Sequence, residues 1–281
     1  MNTNFSIQKT YITGGSGGIG FAVAKEAVLR GSDVLLVARN TERLDAAVRG
    51  LLPFKVRPGQ MIMPLSIDIS DRSAVREGLA AALRDFGDPD LLVNCAGDAY
   101  PGKFEEIPDE KFEEMIDVHV KGLWYVTRTL AEPLKRRRGA VVNVSSLAGL
   151  LGVFGYTAYS AAKFAVIGFS EALRGEMKPC GVHVAVLCPP DTDTPQLARE
   201  NETKPRETRA IAANARVLSP EHVARALFSG LDRKAFLIIP GLPARFAARI
   251  IRYFPGILRR FMDRTVAKVR ETQEPGGMRS L

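Results

Sequence analysis

The chain is expected to fold as α/β, with a doubly wound parallel sheet of about seven strands forming a single domain and a helical C-terminal tail. Two observations predict this. Seven short segments rich in apolar and β-branched residues recur along the chain, and segments of helical period separate them. Strands buried on both faces by crossover helices have this continuous apolar character, whereas half-exposed strands alternate. Apolar residues make up 46% of the 281, enough for one sizeable core.

In chain order, "KTYITGG" reads as the first strand and "GIGFAVAKEAVLRG" as the helix after it, stopping at Gly31. "DVLLVAR" and "QMIMPLSID" follow as strands, then the helix "DRSAVREGLAAALRDFG", stopping at Gly87. A glycine just past the last apolar position is a usual helix stop. "DLLVNCAG" and "GAVVNVSS" are the fourth and fifth strands, and a long helix is expected from about Tyr156 to Lys178. "VHVAVLCPP" and "AFLIIPG" complete the sheet. The polar stretch at about 190–217 breaks the rhythm and is expected to pass over the site. Residues 1–241 form one domain on this reading, and 242–281 a basic amphipathic tail. No repeat of solenoid period is visible.

Charge and cysteines narrow the class. The formal net charge is +8, of which +7 falls between Arg245 and Arg270, so the remainder is nearly neutral. Basic character therefore belongs to one segment. Cys95, Cys180 and Cys188 are widely spaced, which predicts neither a metal site nor a disulfide framework. They fit a reducing compartment and read as core filler. The start "MNTNFSIQKT" has no secretory pattern, and no apolar run is long enough for a transmembrane helix.

"TGGSGGIG", residues 13–20, follows a strand and opens a helix. Gly14, Gly18 and Gly20 would let backbone approach a pyrophosphate, with the helix N-terminus facing the anion. The same glycines would also serve a purely structural turn. Ser16 and Ile19 belong to this loop. The second strand ends with Ala38 and Arg39 where an acid would otherwise hold the ribose of NAD. A guanidinium there suits the 2′-phosphate of NADP, so NADPH is the expected cofactor. Asp68 either meets the adenine or starts a turn. Asn94, Ala96 and Gly97 of "NCAG" offer small residues where the cofactor would lie, and Pro189, Thr192 and Thr194 past the sixth strand are counted with its site.

"GYTAYSAAK" holds two tyrosines and one lysine. Tyr159 and Lys163 differ by four and stack on one helix face, about 6 Å apart along the axis. Tyr156 is seven residues from Lys163, about 10.5 Å of rise. Only Tyr159 therefore feels the ammonium closely. A nearby cation is expected to lower the phenol's pKa and make it a usable acid or base. Ser146, thirteen residues earlier, is placed to hydrogen-bond a carbonyl oxygen beside that phenol.

"TGGSGGIG", "NCAG", "VSS" and "YSAAK", in this order and spacing, resemble the short-chain dehydrogenase/reductase family over roughly residues 8–240. The resemblance implies a Rossmann fold, Tyr159 as proton donor, Lys163 on the nicotinamide ribose and Ser146 orienting the carbonyl. Tyr159 and Lys163 thus also count as cofactor-binding. Ser145 is disfavoured because it lies fourteen residues from Tyr159. "LVNCAG", "GKFEE", "PPDTDTP" and "ENETKPRETR" further resemble the branch that reduces the 3-keto group of long-chain sphingoid bases. Pro189-Pro190 stands where most members have Pro-Gly. Reduction of another apolar carbonyl, such as a 3-oxoacyl thioester or a steroid, is the alternative, and a non-catalytic NADPH-binding protein is a third.

His119 of "VHVKG" replaces an asparagine that in the family helps a water connect the lysine to solvent. It either holds the same proton relay, titrating near pH 6.5, or packs between helices. Asp191 and Asp193 could pair with the ammonium of a sphingoid ketone. Asp193 or Thr194 could instead cap a helix that begins at Pro195.

The tail places Phe246, Ile250, Phe254, Ile257, Leu258 and Phe261 in an apolar stripe among arginines, with Pro255 dividing it into two helices. A basic amphipathic helix with aromatics reads as interfacial, so an anionic membrane surface is the expected partner. Packing on the core or on a second subunit is the other reading. No nucleic-acid module is recognisable. The "KRRRG" run reads as a solvated helix end. A long-chain lipid ketone as substrate, a homo-oligomer, and a cytoplasmic location peripheral to the cytoplasmic face of a membrane complete the expectation.

Overall fold

The computed structural model describes residues 7–213 and 215–272. The parts of the two expected segments at 1–6 and 273–281 lie outside the described residues. Seven parallel strands form one sheet: β1 (Lys9–Thr13), β2 (Asp33–Ala38), β3 (Ile62–Ser66), β4 (Leu91–Asn94), β5 (Ala140–Val144), β6 (His183–Leu187) and β7 (Leu237–Ile238). Their order is β3-β2-β1-β4-β5-β6-β7. The chain winds outward through β2 and β3, then returns past β1 to β4. Ligands of doubly wound sheets bind at this switch point, beyond the carboxyl ends of the strands.

Helices α1 (Gly18–Leu29), α2 (Thr41–Leu51), α3 (Arg72–Asp85), α4 (Asp109–Ile116), α5 (Leu123–Arg137) and α6 (Thr157–Met177) supply the crossovers up to β6. Gly31 and Gly87, the two expected stops, have φ of +83° and +87°. Neighbouring residues of one strand point to opposite faces, and both are buried. Ile12 and Leu36 join a core with Val23, Ala27, Val93 and Leu227. Tyr11 and Leu35 join the other with Leu79, Leu92, Leu130 and Val141. This explains the absence of alternation in the strand sequences.

Strand register aligns the carboxyl edge. Thr13 pairs with Asn94, Asn94 with Asn143, and Val144 with Leu187. The glycine loop, Cys95–Gly97, Ser145–Ser146 and Cys188–Pro189 therefore emerge side by side. Beyond β6 the chain forms α7 (Pro195–Thr203) and α8 (Arg206–Ala212), a lid tied down where Thr192 pairs with Leu218. Then come α9 (Pro220–Asp232), β7, α10 (Leu242–Tyr253) and α11 (Pro255–Glu271).

Two details differ from expectation. Cys188 is buried and Cys95 partly so, but Cys180 is exposed in the turn after α6 and fills no core. The basic end of α5 is paired as well as solvated, since Arg136 meets Asp88 at 2.9 Å and Arg137 meets Asp90 at 2.8 Å.

Candidate active site

The glycine loop is built for close approach. Gly14 has φ +70°, and a Cβ there would press on the Ala96 backbone at 2.8 Å. A Cβ on Gly20 would collide with the Gly14 carbonyl. Gly17 precedes α1 with no side chain capping the helix, which leaves the first-turn amides for an anion. Ser16 and Ile19 are partly exposed on the same loop. These features fit a dinucleotide pyrophosphate.

Around that loop lie the other cofactor candidates. Thr13 Oγ1 accepts from the amides of Cys95 and Ala96 at 3.1 and 3.2 Å, closing the strand ends together. Thr194 caps α7 by accepting from the Leu197 amide at 3.2 Å, so Thr194 and not Asp193 is the cap. A Cβ on Gly18 would touch Thr194 Cγ2, so the base of the lid abuts the glycine loop. Thr192 Oγ1 donates to the Pro190 carbonyl, and the Pro189 carbonyl accepts from the Leu147 amide. Arg39, its side chain 72% exposed, lies 3.6 Å from Asp68 at the end of β2. Burial opposes it, but hydrogen bonds from Ser70 and the Arg39 charge hold the Asp68 carboxyl below its ordinary range. Asn94 turns inward instead: its Nδ2 donates to Thr127 Oγ1 and Asn143 Oδ1, tying β4 to its neighbours.

The catalytic candidates converge over β5. Ser145 and Ser146 separate cleanly. Ser145 Oγ is buried and donates to the Lys163 carbonyl at 2.9 Å. Ser146 Oγ accepts from the Ala148 amide at 3.1 Å, and its hydroxyl reaches Tyr159. Lys163 Nζ donates to the Val144 carbonyl at 2.9 Å and sits 5.4 Å from the centre of the Tyr159 ring. Burial lowers the Lys163 ammonium to about 8, opposed by the nearby Cys95 and Cys188 thiols and by Glu200.

The expected lowering of the Tyr159 pKa is not found. Burial dominates and pushes it up, the charge of Glu200 adds to this, and the Ser146 hydrogen bond only partly offsets it. The spacing argument counted the cation but not the loss of water around the phenol. At neutral pH Tyr159 is a protonated acid.

His119 lies in a π-helical stretch, Asp117–Gly122, that joins α4 to α5. Such stretches often occur at functional sites. Its Nε2 stands 2.7 Å from the Asp98 carbonyl, which can only accept, so Nε2 carries the proton and Nδ1 is the free acceptor. A Cβ on Gly97, whose φ is +156°, would fall inside the imidazole. The ring therefore occupies space that glycine leaves. Burial, then the Lys163 charge, lowers His119 to about 3. Titration near 6.5 is thus corrected: His119 is neutral through the physiological range.

Sequence reasoning missed a buried lid carboxylate. Glu200 Oε2 accepts from the Tyr156 hydroxyl at 2.5 Å, and Oε1 from Gln196 Nε2 at 2.8 Å. Tyr156 is thereby a partner of the lid. Asp193 is exposed, and Asp191 lies 3.9 Å from buried Lys204. The i,i+4 spacing of Gln196 and Glu200 was the only available signal, and it is common on exposed helices.

A family model described as short chain dehydrogenase matches residues 8–205. The chain belongs to the short-chain dehydrogenase family. Within it, 3-ketodihydrosphingosine reductase of Mus musculus is 44% identical over 218 residues, covering 77% of this chain and 66% of that protein. 3-Dehydrosphinganine reductase of Danio rerio is 44% identical over 216 residues, covering 76% and 65%. The matched region spans just under two thirds of those relatives' own length. Among solved structures, a short-chain dehydrogenase from Sphingobium yanoikuyae in complex with NADPH superposes with a TM-score of 0.73 at 28% identity, covering 92% of this chain and 96% of that one. A short-chain dehydrogenase/reductase from Burkholderia phymatum in complex with NAD reaches 0.76 at 23% identity, covering 99% of each chain, a likeness that shows the fold.

Proposed function

We propose that this family member is an NADPH-dependent reductase of the 3-keto group of a long-chain sphingoid base, converting 3-ketosphinganine to sphinganine. The observation that carries the reading is the 44% identity to reductases named for that substrate. NADPH, when bound, supplies hydride to the ketone carbon. The glycine loop and the α1 N-terminus would hold its pyrophosphate, and Arg39 its 2′-phosphate. Tyr159, kept protonated by burial, gives its proton to the carbonyl oxygen. Ser146 Oγ accepts from a backbone amide and its O–H faces Tyr159, so it can turn to donate to the same carbonyl oxygen. Lys163 spends one donor on Val144 and has two left for the nicotinamide ribose and the phenol. Neutral His119, edge-on to Tyr159, offers Nδ1 as an acceptor for a relay water.

The proposal includes peripheral attachment to an anionic bilayer, on the cytoplasmic face. No described helix is long and apolar enough to cross a membrane. Leu242, Phe246, Tyr253, Ile257 and Phe261 on α10 and α11, and Phe254 between the two helices, are exposed among seven arginines. Ile250 and Leu258 of the expected stripe are half-buried. A homo-oligomer also belongs to the proposal, supported by exposed Phe112, Trp124 and Phe164 on α4, α5 and α6, and analytical ultracentrifugation tests it.

NADPH oxidation measured with 3-ketosphinganine beside a 3-oxoacyl thioester tests the substrate. The sphingoid ketone should give the higher kcat/KM; the reverse order would reassign the chain to the thioester.

A further inference from the structure

A sphingoid ketone carries an ammonium on the carbon next to the reacting carbonyl, and the catalytic residues leave that charge without a partner. Neither aspartate considered for it is well placed. Asp193 is exposed, with its backbone N–H bound to Leu218. Asp191 already faces the buried Lys204 ammonium at 3.9 Å.

Glu200 is placed differently. It sits on the inner side of α7, only 8% exposed, 44 residues along the chain from the tyrosine it contacts. Its two oxygens are oriented by Tyr156 and Gln196. The Tyr156 ring lies 5.7 Å from that of Tyr159, so one aromatic ring separates the carboxylate from the catalytic phenol. Burial of an anion is costly unless a cation meets it. Burial accordingly raises the Glu200 carboxyl above its ordinary range, with the neighbouring Asp191 charge adding to the shift and the Lys204 charge and two hydrogen bonds opposing it. Glu200 and Asp191 both lie near the Lys204 ammonium, and Glu200 also acts on the Lys163 ammonium beside Tyr159.

We infer that Glu200, held by Tyr156 and Gln196, receives the substrate's 2-ammonium and selects amino ketones over plain ketones. This rests on the reading of the chain as a sphingoid-ketone reductase. The ammonium is one carbon from the carbonyl that Tyr159 protonates, so its partner must lie near Tyr159, and the Glu200 carboxylate is bonded to Tyr156, whose ring lies 5.7 Å from that of Tyr159. A charge-assisted hydrogen bond to a desolvated carboxylate is strong and directional. A site built around such a group rejects analogues that lack it, because the buried partner is left unpaired.

The test compares kcat and KM, with NADPH, for 3-ketosphinganine and for the same ketone with hydrogen in place of the amine. The wild type should prefer the amino ketone by at least about tenfold in kcat/KM. Glu200→Gln should bring that ratio toward one, chiefly through KM for the amino ketone, while Glu200→Asp keeps part of the preference. Glu200→Met, apolar and of similar length, serves if the Gln variant folds poorly, with NADPH binding as the folding control. An equal ratio in wild type and variant, both ketones being reduced, would overturn the inference and leave the reductase reading intact. A wild type that fails on 3-ketosphinganine would refute the reading, and the inference with it.

Discussion

His119 stands edge-on to Tyr159, with ring centroids 5.7 Å apart and planes at 80°. Its Nε2–H is committed to the Asp98 carbonyl, and burial lowers its pKa from 6.5 to about 3. Between those two values the unfolded chain binds a proton that the native state refuses, so stability falls as pH drops through that window. His119→Asn removes this contribution. Denaturation from pH 7 to pH 4 should show the variant losing less stability than the wild type. Parallel curves would mean that His119 is not held neutral.

Gly97 is the reason the ring fits. Gly97→Ala would place a methyl inside the imidazole and force φ of +156° on alanine. Overpacking of this kind costs about 1–3 kcal/mol. Paired with His119→Ala in a double-mutant cycle, the combined loss should be smaller than the sum of the two. Additive losses would show the two residues to be independent.

Much of this architecture was legible because it is local. The strands and the Gly31 and Gly87 stops follow from residue pattern and backbone permissiveness. Tyr159 and Lys163 share a face because helical period demands it. Residues joined only by tertiary folding were hidden. Glu200 looks like a solvated helix residue until the lid closes on Tyr156. The upward shift of Tyr159 depends on water lost when α6, β5 and the lid meet, which no spacing argument contains. The π-helical stretch around His119 has no signature in "DVHVKG".

Tyr159→Phe should reduce turnover by at least about 10²-fold, the usual scale for a general acid, with NADPH still bound. Tyr156 touches Glu200 rather than the reacting oxygen, so Tyr156→Phe should act mainly on KM. A comparable loss of kcat from both would overturn the assignment of the acid.

Lys163 predicts an alkaline limb. It is charged below about 8, and in the proposed function the ammonium is the form that would support the phenol and ribose. Ketone reduction should therefore be fastest below that value and decline as pH rises through it. Lys163→Met should show a low rate without that limb. A wild-type profile flat to pH 10 would contradict this role.

Arg39→Asp should weaken NADPH binding against NADH. The guanidinium is exposed and, among the described residues, pairs with Asp68 alone at 3.6 Å, so it can turn to a 2′-phosphate. Reversing its charge removes a charge-assisted contact and adds repulsion, at least about tenfold in relative affinity, or about 1.4 kcal/mol. Fluorescence titration with both dinucleotides measures it. A wild type that prefers NADH would end the assignment.

Membrane attachment is best tested without removing the tail. Ala244 and Ala248 of α10 are buried with Val186, Cys188 and Ile239, so truncation after Gly241 would open the core. Phe246, Phe254 and Phe261 are 64%, 62% and 51% exposed and can be changed with little effect on packing. Each aromatic entering a bilayer interface gains on the order of 1 kcal/mol or more. Each arginine near an anionic surface adds about 1 kcal/mol, screened by salt. The sum, reduced by the half-burial of Ile250 and Leu258, supports reversible binding. The lid would then lie near the lipid surface, because Arg270 of α11 reaches Glu207 of α8 at 3.9 Å. The wild type should sediment with anionic liposomes at low salt and release partly as salt rises. The variant with all three phenylalanines changed to serine should stay in the supernatant while still binding NADPH. A folded wild type that ignores anionic liposomes at low salt would sink the idea, and the exposed aromatics would then be a contact for a second subunit.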